Sequence, residues 1–296
     1  MSRIDGRGFA RFATASLAAA SLFTGAVACN DAPGGSTGDD GWTAPPGTWM
    51  ETFRDDFDGA AGSAPDPATW NVMVSATNAN NECESYTNSR DNSFLDGEGH
   101  LILQALRQPG TPIRTSCPPG STFTSARLDT RGHLAPQYGR IEARIQLPAG
   151  AGLWPAFWML GTGPGRWPNI GEIDVMEERG STPNTIVGSV HGPEYFGAGA
   201  LSRVFALPAG TFAEDFHLFA FEWTADGMRW LVDDTAYHTR TRAGMESLGD
   251  TWVFDQPFYI LLNLAVGGSF GGNPNSSTPF PAQMVIDYVR VLAQSP

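Results

Sequence analysis

The 296-residue chain contains no lysine, and arginine supplies all 18 of its basic side chains. Schiff-base chemistry and lysine nucleophiles are therefore excluded. After residue 28, no stretch stays apolar for the roughly 18 residues that a membrane-spanning helix needs. Basic charge is scarce overall, because 31 acidic residues give a formal net charge of −13. Such a chain repels nucleic acid and anionic membrane surfaces, so we expect an uncharged partner.

Cysteine is also rare, with only Cys29, Cys83 and Cys117 present. Residues 1–28 combine arginines with an apolar run that ends in Ala26-Val-Ala28, which predicts a secretory signal peptide. Cys29 follows at once, so it is either the lipidated cysteine of a bacterial lipoprotein or a free cysteine left by ordinary cleavage. The remaining pair predicts a disulfide, with two reduced thiols as the alternative. We expect a secreted or cell-surface bacterial protein that contacts a membrane only through a lipid on Cys29.

Short strands separated by turns dominate the rest of the chain. Residues 29–50 are rich in Gly, Pro, Ser, Thr and Asp, which predicts a flexible tether. Apolar and polar residues alternate over 140–147, which predicts a half-buried strand, and Asp226-Gly227 between two apolar runs predicts a hairpin. Residues 51–296 are therefore predicted to form one all-β domain of two packed antiparallel sheets.

The most informative stretch is residues 167–178, WPNIGEIDVMEE, which places several acids inside an apolar run. Burying a charge without a partner is costly, so these acids need an explanation. In a strand, Glu172 and Asp174 share a face about 7 Å apart, whereas Glu177 points to the other face. One extra residue at position 175 or 176, a β-bulge, would return Glu177 to the first face. Three carboxylates on one face suit a retaining glycosidase, and an edge strand with solvated acids is the alternative.

This stretch resembles the active-site strand of glycoside hydrolase family 16 in its bulged E-x-D-x-x-E form. The similarity is to the laminarinase-like, or endo-1,3-β-glucanase, branch of that family. Five further blocks are similar to the family in its own order, within residues 51–292: Tyr138–Arg144, Leu153–Gly161, Phe221–Trp223, Leu262–Gly268 and Ile286–Val291. The resemblance therefore covers most of the chain and does not depend on one motif.

The resemblance implies a β-jelly roll with a substrate cleft across its concave sheet. It also implies a retaining endo-β-glucanase in which Glu172 is the nucleophile. Glu177 would act first as general acid and then as general base. Asp174 lies between them, where its charge would raise the pKa of a neighbouring glutamate. We expect no cofactor for catalysis, and we expect the protein to be a monomer.

The bulged motif also reduces the number of substrates that the resemblance implies. It separates this chain from the branch with the straight E-x-D-x-E form, which includes lichenases and plant xyloglucan-modifying enzymes. Laminarin-type β-1,3-glucan is the first expectation, and mixed β-1,3/1,4-glucan is the second. Agarases and carrageenases share the bulged strand, but the acidic chain disfavours sulfated polymers. A β-glucan-binding protein without turnover is a further alternative, and the three retained acids argue against it. A purely structural surface protein is the last alternative.

Aromatic residues near this strand are candidates for sugar contacts, because aromatic faces stack on the C–H faces of sugar rings. Trp154, Trp158 and Trp167 are the substrate-binding candidates. Core packing is the alternative for each, and we expect Phe157 and one of Trp154 and Trp158 to lie in the core. His191 shares a strand face with two residues before it and is expected to contact the carboxylates.

Four polar residues complete the set of candidates. Asn80 is either a sugar contact or a turn-forming residue, and Arg127 is either a subsite residue or an ion-pair partner. Asn263 lies in an apolar run and needs a partner, for which a sugar hydroxyl or a cleft carboxylate would serve. Asp287 matches the aspartate that many family members use for a structural Ca²⁺ on the convex face, and a plain surface aspartate is the alternative.

Overall fold

The computed structural model describes Trp42 and residues 49–294. The predicted signal peptide and Cys29 lie outside the described residues. The first strand begins at Trp49 rather than at residue 51. The strands are β1 (Trp49–Asp55), β2 (Asn71–Val72), β3 (Glu84–Tyr86), β4 (Ser93–Leu95), β5 (Leu101–Pro109), β6 (Ser121–Ser125), β7 (Arg127–Asp129), β8 (Gly139–Gln146), β9 (Leu153–Gly161), β10 (Glu172–Glu178), β11 (Thr185–His191), β12 (Leu201–Ala206), β13 (His217–Trp223), β14 (Gly227–Val232), β15 (Thr235–Thr241), β16 (Phe258–Val266) and β17 (Ala282–Gln294).

Two sheets contain all of these strands. The larger sheet has ten strands in the order β15-β14-β13-β8-β17-β5-β6-β3, with β1 beside β17 and β4 beside β5. The smaller sheet has seven, in the order β12-β11-β10-β9-β16-β7-β2. Neighbouring strands are antiparallel except β3 and β6, which are parallel. The predicted sandwich of two antiparallel sheets is therefore confirmed, with this one local exception.

Helices are short in the described part of the chain. They are α1 (Arg242–Ser247), α2 (Gly268–Gly271) and a 3₁₀ turn at Gly197–Gly199. None of the helices among the described residues is long and apolar enough to cross a membrane.

Large apolar side chains fill the space between the two sheets. The smaller sheet contributes alternate residues of its strands, and the larger sheet contributes mainly aromatic rings. The fully buried examples are Phe157, Met159, Ile173 and Met176 from the smaller sheet and Phe219, Phe221, Trp223 and Trp230 from the larger one. Because side chains alternate along a strand, the residues between those of the smaller sheet point away from the core.

The central strand β8 departs from its sequence pattern. Its apolar residues face the core as predicted, with Ile141 fully buried. The polar face is buried too over the first half, where Arg140 lies 2.8 Å from Glu222 on β13. On the other side, Arg290 of β17 pairs with Glu142. The prediction of a half-buried strand is wrong for this half, because neighbouring strands supply the opposite charges that buried ions require.

Cys83 and Cys117 form the predicted disulfide, with an S–S distance of 1.97 Å. The backbone N–H of Cys83 donates to the carbonyl of Val266, the last residue of β16, at 2.7 Å. The disulfide therefore holds the segment between β5 and β6 against the end of a strand in the smaller sheet.

Candidate active site

The catalytic candidates lie on β10, which contains the predicted β-bulge. Along β11, Asp174 pairs with Ser189 and Glu177 pairs with Val187, so three steps on β10 match two on β11. The register with β9 shifts between Asp174 and Met176 in the same way. The extra residue returns Glu177 to the face that carries Asp174. All three carboxylates therefore lie on the face of the smaller sheet that points away from the core.

A glycine before the strand and a hydrogen bond at the bulge fix the backbone of β10. Gly171 precedes β10 with φ 73°, in the left-handed region that favours glycine. At the bulge, the indole N–H of Trp230 donates to the backbone carbonyl of Asp174 at 2.8 Å. That bond crosses from the larger sheet to the smaller one, so the interior of the sandwich fixes the backbone that presents the acids.

The three carboxylates have raised pKa values. Burial, followed by the charge of Asp174, raises the pKa of Glu177 to about 8. Burial and the same neighbouring charge also raise the pKa of Glu172. Asp174 is the most buried of the three, and burial raises its pKa as well. Since Glu172 and Asp174 are within hydrogen-bonding distance, ionisation of both at once is disfavoured, and the pair stays protonated at neutral pH.

His191 lies opposite Glu172 on β11, as predicted for a residue near the acids. Its Nε2 is 3.0 Å from Asp174 Oδ2 and 3.7 Å from Glu172 Oε1. Its Nδ1 accepts a hydrogen bond from the backbone N–H of Gly197 at 3.1 Å. Because Nδ1 is an acceptor, the ring proton resides on Nε2 and faces the carboxylates.

Trp154 also contacts the acids. Its indole N–H donates to Glu177 Oε1 at 3.0 Å. Phe157 lies in the core as expected, but neither Trp154 nor Trp158 joins that core cluster. Trp154 is nevertheless buried, so the expectation of one buried tryptophan is met by Trp154, although its ring lies on the face that carries the acids. Strand alternation explains this result, because a core-facing Phe157 places both of its even-numbered neighbours on the opposite face.

One wall of the site, called the Trp158 wall below, is formed by Trp158 of β9, Asn263 of β16 and Arg127 of β7. The indole N–H of Trp158 donates to Asn263 Oδ1 at 2.7 Å, and Asn263 Nδ2 donates to the Tyr86 hydroxyl at 3.3 Å. The Arg127 guanidinium lies over the Trp158 ring, 4.6 Å from its centroid. Asn263 therefore has protein partners that differ from the two expected ones. Neither expected role of Arg127 describes this stacking contact.

Among known families, glycosyl hydrolases family 16 matches this chain over residues 75–290. The chain belongs to glycoside hydrolase family 16. A β-glucanase of Rhodothermus marinus is 40% identical over 255 residues, which are 82% of this chain and 85% of that protein. A glucan endo-1,3-β-glucosidase of Cryptopygus antarcticus is 37% identical over 77% of this chain and 84% of its own length.

Solved structures of this family agree with the fold. An endo-β-1,3-glucanase from Pyrococcus furiosus has 43% identity and a TM-score of 0.76, over 84% of this chain and 96% of that one. A laminarinase from Rhodothermus marinus has 37% identity and a TM-score of 0.75, over 84% and 99%. The predicted family, its jelly-roll sandwich and the assignment as a glycoside hydrolase are therefore confirmed.

The exposed candidates of this family 16 hydrolase differ in what they contact. Trp167 is 46% exposed at the rim of the site. Asn80 adopts φ 54°, and its carbonyl accepts from the backbone N–H of Ser269 at 2.7 Å. Its side-chain Nδ2 is 3.4 Å from Glu82 Oε1. The turn-forming interpretation of Asn80 is therefore confirmed, and its sugar contact stays a prediction.

The sequence did not reveal a buried acidic pair, Glu82 and Glu84, that lies behind the Trp158 wall. Glu84 Oε2 accepts from the backbone N–H of Val266 at 2.7 Å, and the Tyr86 hydroxyl donates to Glu82 Oε2 at 3.4 Å. Burial, followed by the charge of Glu82, raises the pKa of Glu84 to about 8. Tyr86 in turn accepts from Asn263, so this pair supports the Trp158 wall. The period-2 spacing of positions 82, 84 and 86 could have indicated a shared face.

Asp287, the predicted calcium ligand, forms an ion pair. Asp287 Oδ2 lies 2.5 Å from Arg144 Nη1, so one carboxylate oxygen already has a cationic partner. Among the described residues, the only group of three acidic or imidazole ligands close enough to share an ion is Glu172, Asp174 and His191, within 4.8 Å of one another. A Ca²⁺ at Asp287 would therefore depend mainly on backbone carbonyls.

Proposed function

We propose that this protein is a secreted, retaining endo-β-glucanase that hydrolyses β-1,3-glucosidic bonds of laminarin-type glucans by double displacement. The observation that carries the proposal is the bulge in β10, which gathers Glu172, Asp174 and Glu177 on one face. A retaining glycosidase needs two carboxyl groups on either side of the scissile bond, one charged and one protonated.

Glu177 is suited to be the proton donor. With a pKa raised to about 8, it is mostly protonated at neutral pH. Its Oε1 accepts the indole N–H of Trp154, so Oε1 is the carbonyl-like oxygen and the proton belongs on Oε2. That proton passes to the glycosidic oxygen as the bond breaks. The resulting carboxylate then removes a proton from the water that attacks in the second step.

Glu172 is suited to be the nucleophile. Its carboxylate attacks the anomeric carbon and forms a covalent glycosyl intermediate, which water later hydrolyses. The proton that Glu172 shares with Asp174 must rest on Asp174 during the attack. Deeper burial of Asp174 favours that arrangement, because the more exposed carboxylate carries the charge at a smaller desolvation penalty.

Several similarities support the choice of glucan. The relatives named above are a β-glucanase, endo-1,3-β-glucanases and a laminarinase. A non-specific endo-β-1,3(4)-glucanase is 32% identical, which keeps mixed-linkage glucan as the second substrate. A keratan-sulfate endo-1,4-β-galactosidase is 34% identical over 57% of this chain, but the charge of −13 disfavours a sulfated polymer.

A non-catalytic role is the second candidate, because a β-1,3-glucan-binding protein of Penaeus monodon is 36% identical over 53% of this chain. Release of reducing sugar from laminarin, lichenan, agarose and carrageenan separates the candidates. Glu172→Gln and Glu177→Gln should each reduce laminarin hydrolysis by at least about 100-fold without changing the fold measured by circular dichroism. Hydrolysis near the wild-type rate in either variant would remove the assignment, and proton NMR of the first product tests retention.

For location and accessory binding, we propose a secreted or cell-surface monomer. Mass spectrometry of the mature N-terminus would distinguish a lipid on Cys29 from ordinary cleavage. We also retain a structural Ca²⁺ at Asp287 as a proposal. Calcium titration of the EDTA-treated protein tests it, and an absence of binding heat would remove it.

A further inference from the structure

Two aromatic rings stand exposed beside the proposed catalytic groups. Trp167 precedes β10, Phe196 follows β11, and each is 46% exposed. Among the large hydrophobic residues that the described part of the chain exposes, they are the only aromatic ones. Their ring centroids are 5.6 Å apart and their planes meet at 78°. Exposed aromatic rings beside a candidate binding site offer apolar surface to a ligand.

The pair is continuous with the active site. The Trp167 ring centroid lies 6.0 Å from that of His191, and His191 Nε2 is 3.0 Å from Asp174 Oδ2. The two rings therefore extend the site on the β11 side of the catalytic strand. The Trp158 wall lies on the other side of β10, on β9 and its neighbours. A polysaccharide that crosses the strands would meet the Trp158 wall, then the acids, then this pair.

The segment that carries Phe196 is anchored on both sides. Tyr195 is buried, and its hydroxyl donates to the carbonyl of Thr251 at 2.8 Å. Gly197 donates its backbone N–H to His191 Nδ1 at 3.1 Å. Phe196 is thus held between two fixed residues while its own ring stays exposed. An exposed ring on an anchored backbone is preorganised for binding, because little conformational entropy is lost when a ligand stacks on it.

We propose that Phe196 and Trp167 form a second stacking platform that binds a glucosyl ring on the opposite side of the scissile bond from the Trp158 wall. The platform rests on the proposed function and adds a binding subsite for long chains. One ring can stack on the C–H face of the sugar while the other borders its edge. Phe196 is the residue that distinguishes this platform, since no sequence pattern places it next to Trp167.

The test compares chain lengths in wild type and Phe196→Ala. The cleavage rates of laminari-oligosaccharides of three to six glucosyl units are measured for wild type and for Phe196→Ala. The binding of the same oligosaccharides is measured by calorimetry with both proteins carrying Glu172→Gln. Loss of one stacking partner should raise KM and Kd for the hexasaccharide about 10-fold. The change should be smaller for the trisaccharide, which is too short to reach past the acids on both sides. End-labelled hexasaccharide should also be cut at a shifted position.

Two further variants separate the platform from a general effect. Phe196→Trp should restore wild-type hexasaccharide binding, because it keeps an aromatic face. Met50→Ala, at a residue 56% exposed on β1 of the larger sheet, should leave KM and Kd unchanged. The pH profile of Phe196→Ala should keep its wild-type limbs, since the donor to His191 Nδ1 is the backbone N–H of Gly197, which the substitution leaves in place.

The outcomes distinguish the platform from the proposed function. If wild type cleaves laminarin and Phe196→Ala binds and cuts every chain length like wild type, the platform is overturned and the function stands. The platform is also overturned if Phe196→Ala weakens binding and cleavage equally for every chain length. If wild type releases no sugar from laminarin, the function fails, and hexasaccharide binding then decides the platform alone. An absence of any binding overturns both.

Discussion

Glu178→Gln should gain stability relative to wild type as the pH rises from 4.5 to 7. Glu178 ends the catalytic strand on the core side and is fully buried. Neither carboxylate oxygen has a hydrogen-bond partner among the described residues. Burial raises the pKa of Glu178 to about 9, so the folded protein keeps this side chain protonated at neutral pH.

The size of the effect follows from proton linkage. A glutamate in the unfolded chain has the ordinary pKa of 4.5 and releases its proton above that pH. Because the folded pKa is raised, the contribution of Glu178 to stability is greatest below pH 4.5 and falls as the pH rises toward 9. Each pH unit lowers the free energy of unfolding by about 1.4 kcal/mol, so the loss reaches about 3 kcal/mol at pH 7.

Glutamine has nearly the same shape and no proton to lose. Its unpaired amide changes the free energy of unfolding by an amount that does not depend on pH. The test is therefore how the difference between variant and wild type changes with pH, and not the size of that difference at one pH. Urea unfolding at pH 4.5, 5.5 and 7 should show the variant gaining about 3 kcal/mol on wild type over that range. The pH-dependent contributions of the other buried carboxyl groups are the same in both proteins and cancel in this difference. Glu98→Gln, at an exposed side chain, is the control and should give a flat difference. Parallel curves for Glu178→Gln would refute the reasoning.

Two further predictions concern the active site and the disulfide. The hydrogen bond from Trp154 to Glu177 Oε1 lowers the pKa of Glu177. Trp154→Phe removes this bond and raises that pKa, so the alkaline limb of the kcat/KM profile should move to higher pH. An unmoved limb would contradict the assignment of Glu177 as the proton donor. Replacing both Cys83 and Cys117 by alanine opens a loop of 34 residues and should lower the free energy of unfolding by about 3–4 kcal/mol, measured against the oxidised wild type in urea. A loss below about 1 kcal/mol would mean that the segment is held without the disulfide.

The amino-acid sequence by itself determined the features that depend on neighbours along the chain. Alternation alone places Glu172 and Asp174 on one face, and the family resemblance supplied the bulge that returns Glu177 to that face. The hairpin at Asp226-Gly227 joins β13 and β14 as predicted, since its turn is local. The position of His191 near the acids followed from the same face-sharing pattern and the family resemblance.

The tertiary structure alone decided the features that depend on which strands become neighbours. The charges that pair with Arg140 and Glu142 come from β13 and β17, far away in the chain. Asn263 donates a hydrogen bond to the hydroxyl of Tyr86, from which it is 177 positions away in sequence, and Tyr86 links it to the buried acidic pair. Phe196 meets Trp167 only because two separate loops converge at one rim. Residue spacing fixes the direction of a side chain from its own strand, but the partner it meets is set by the register and order of the sheets.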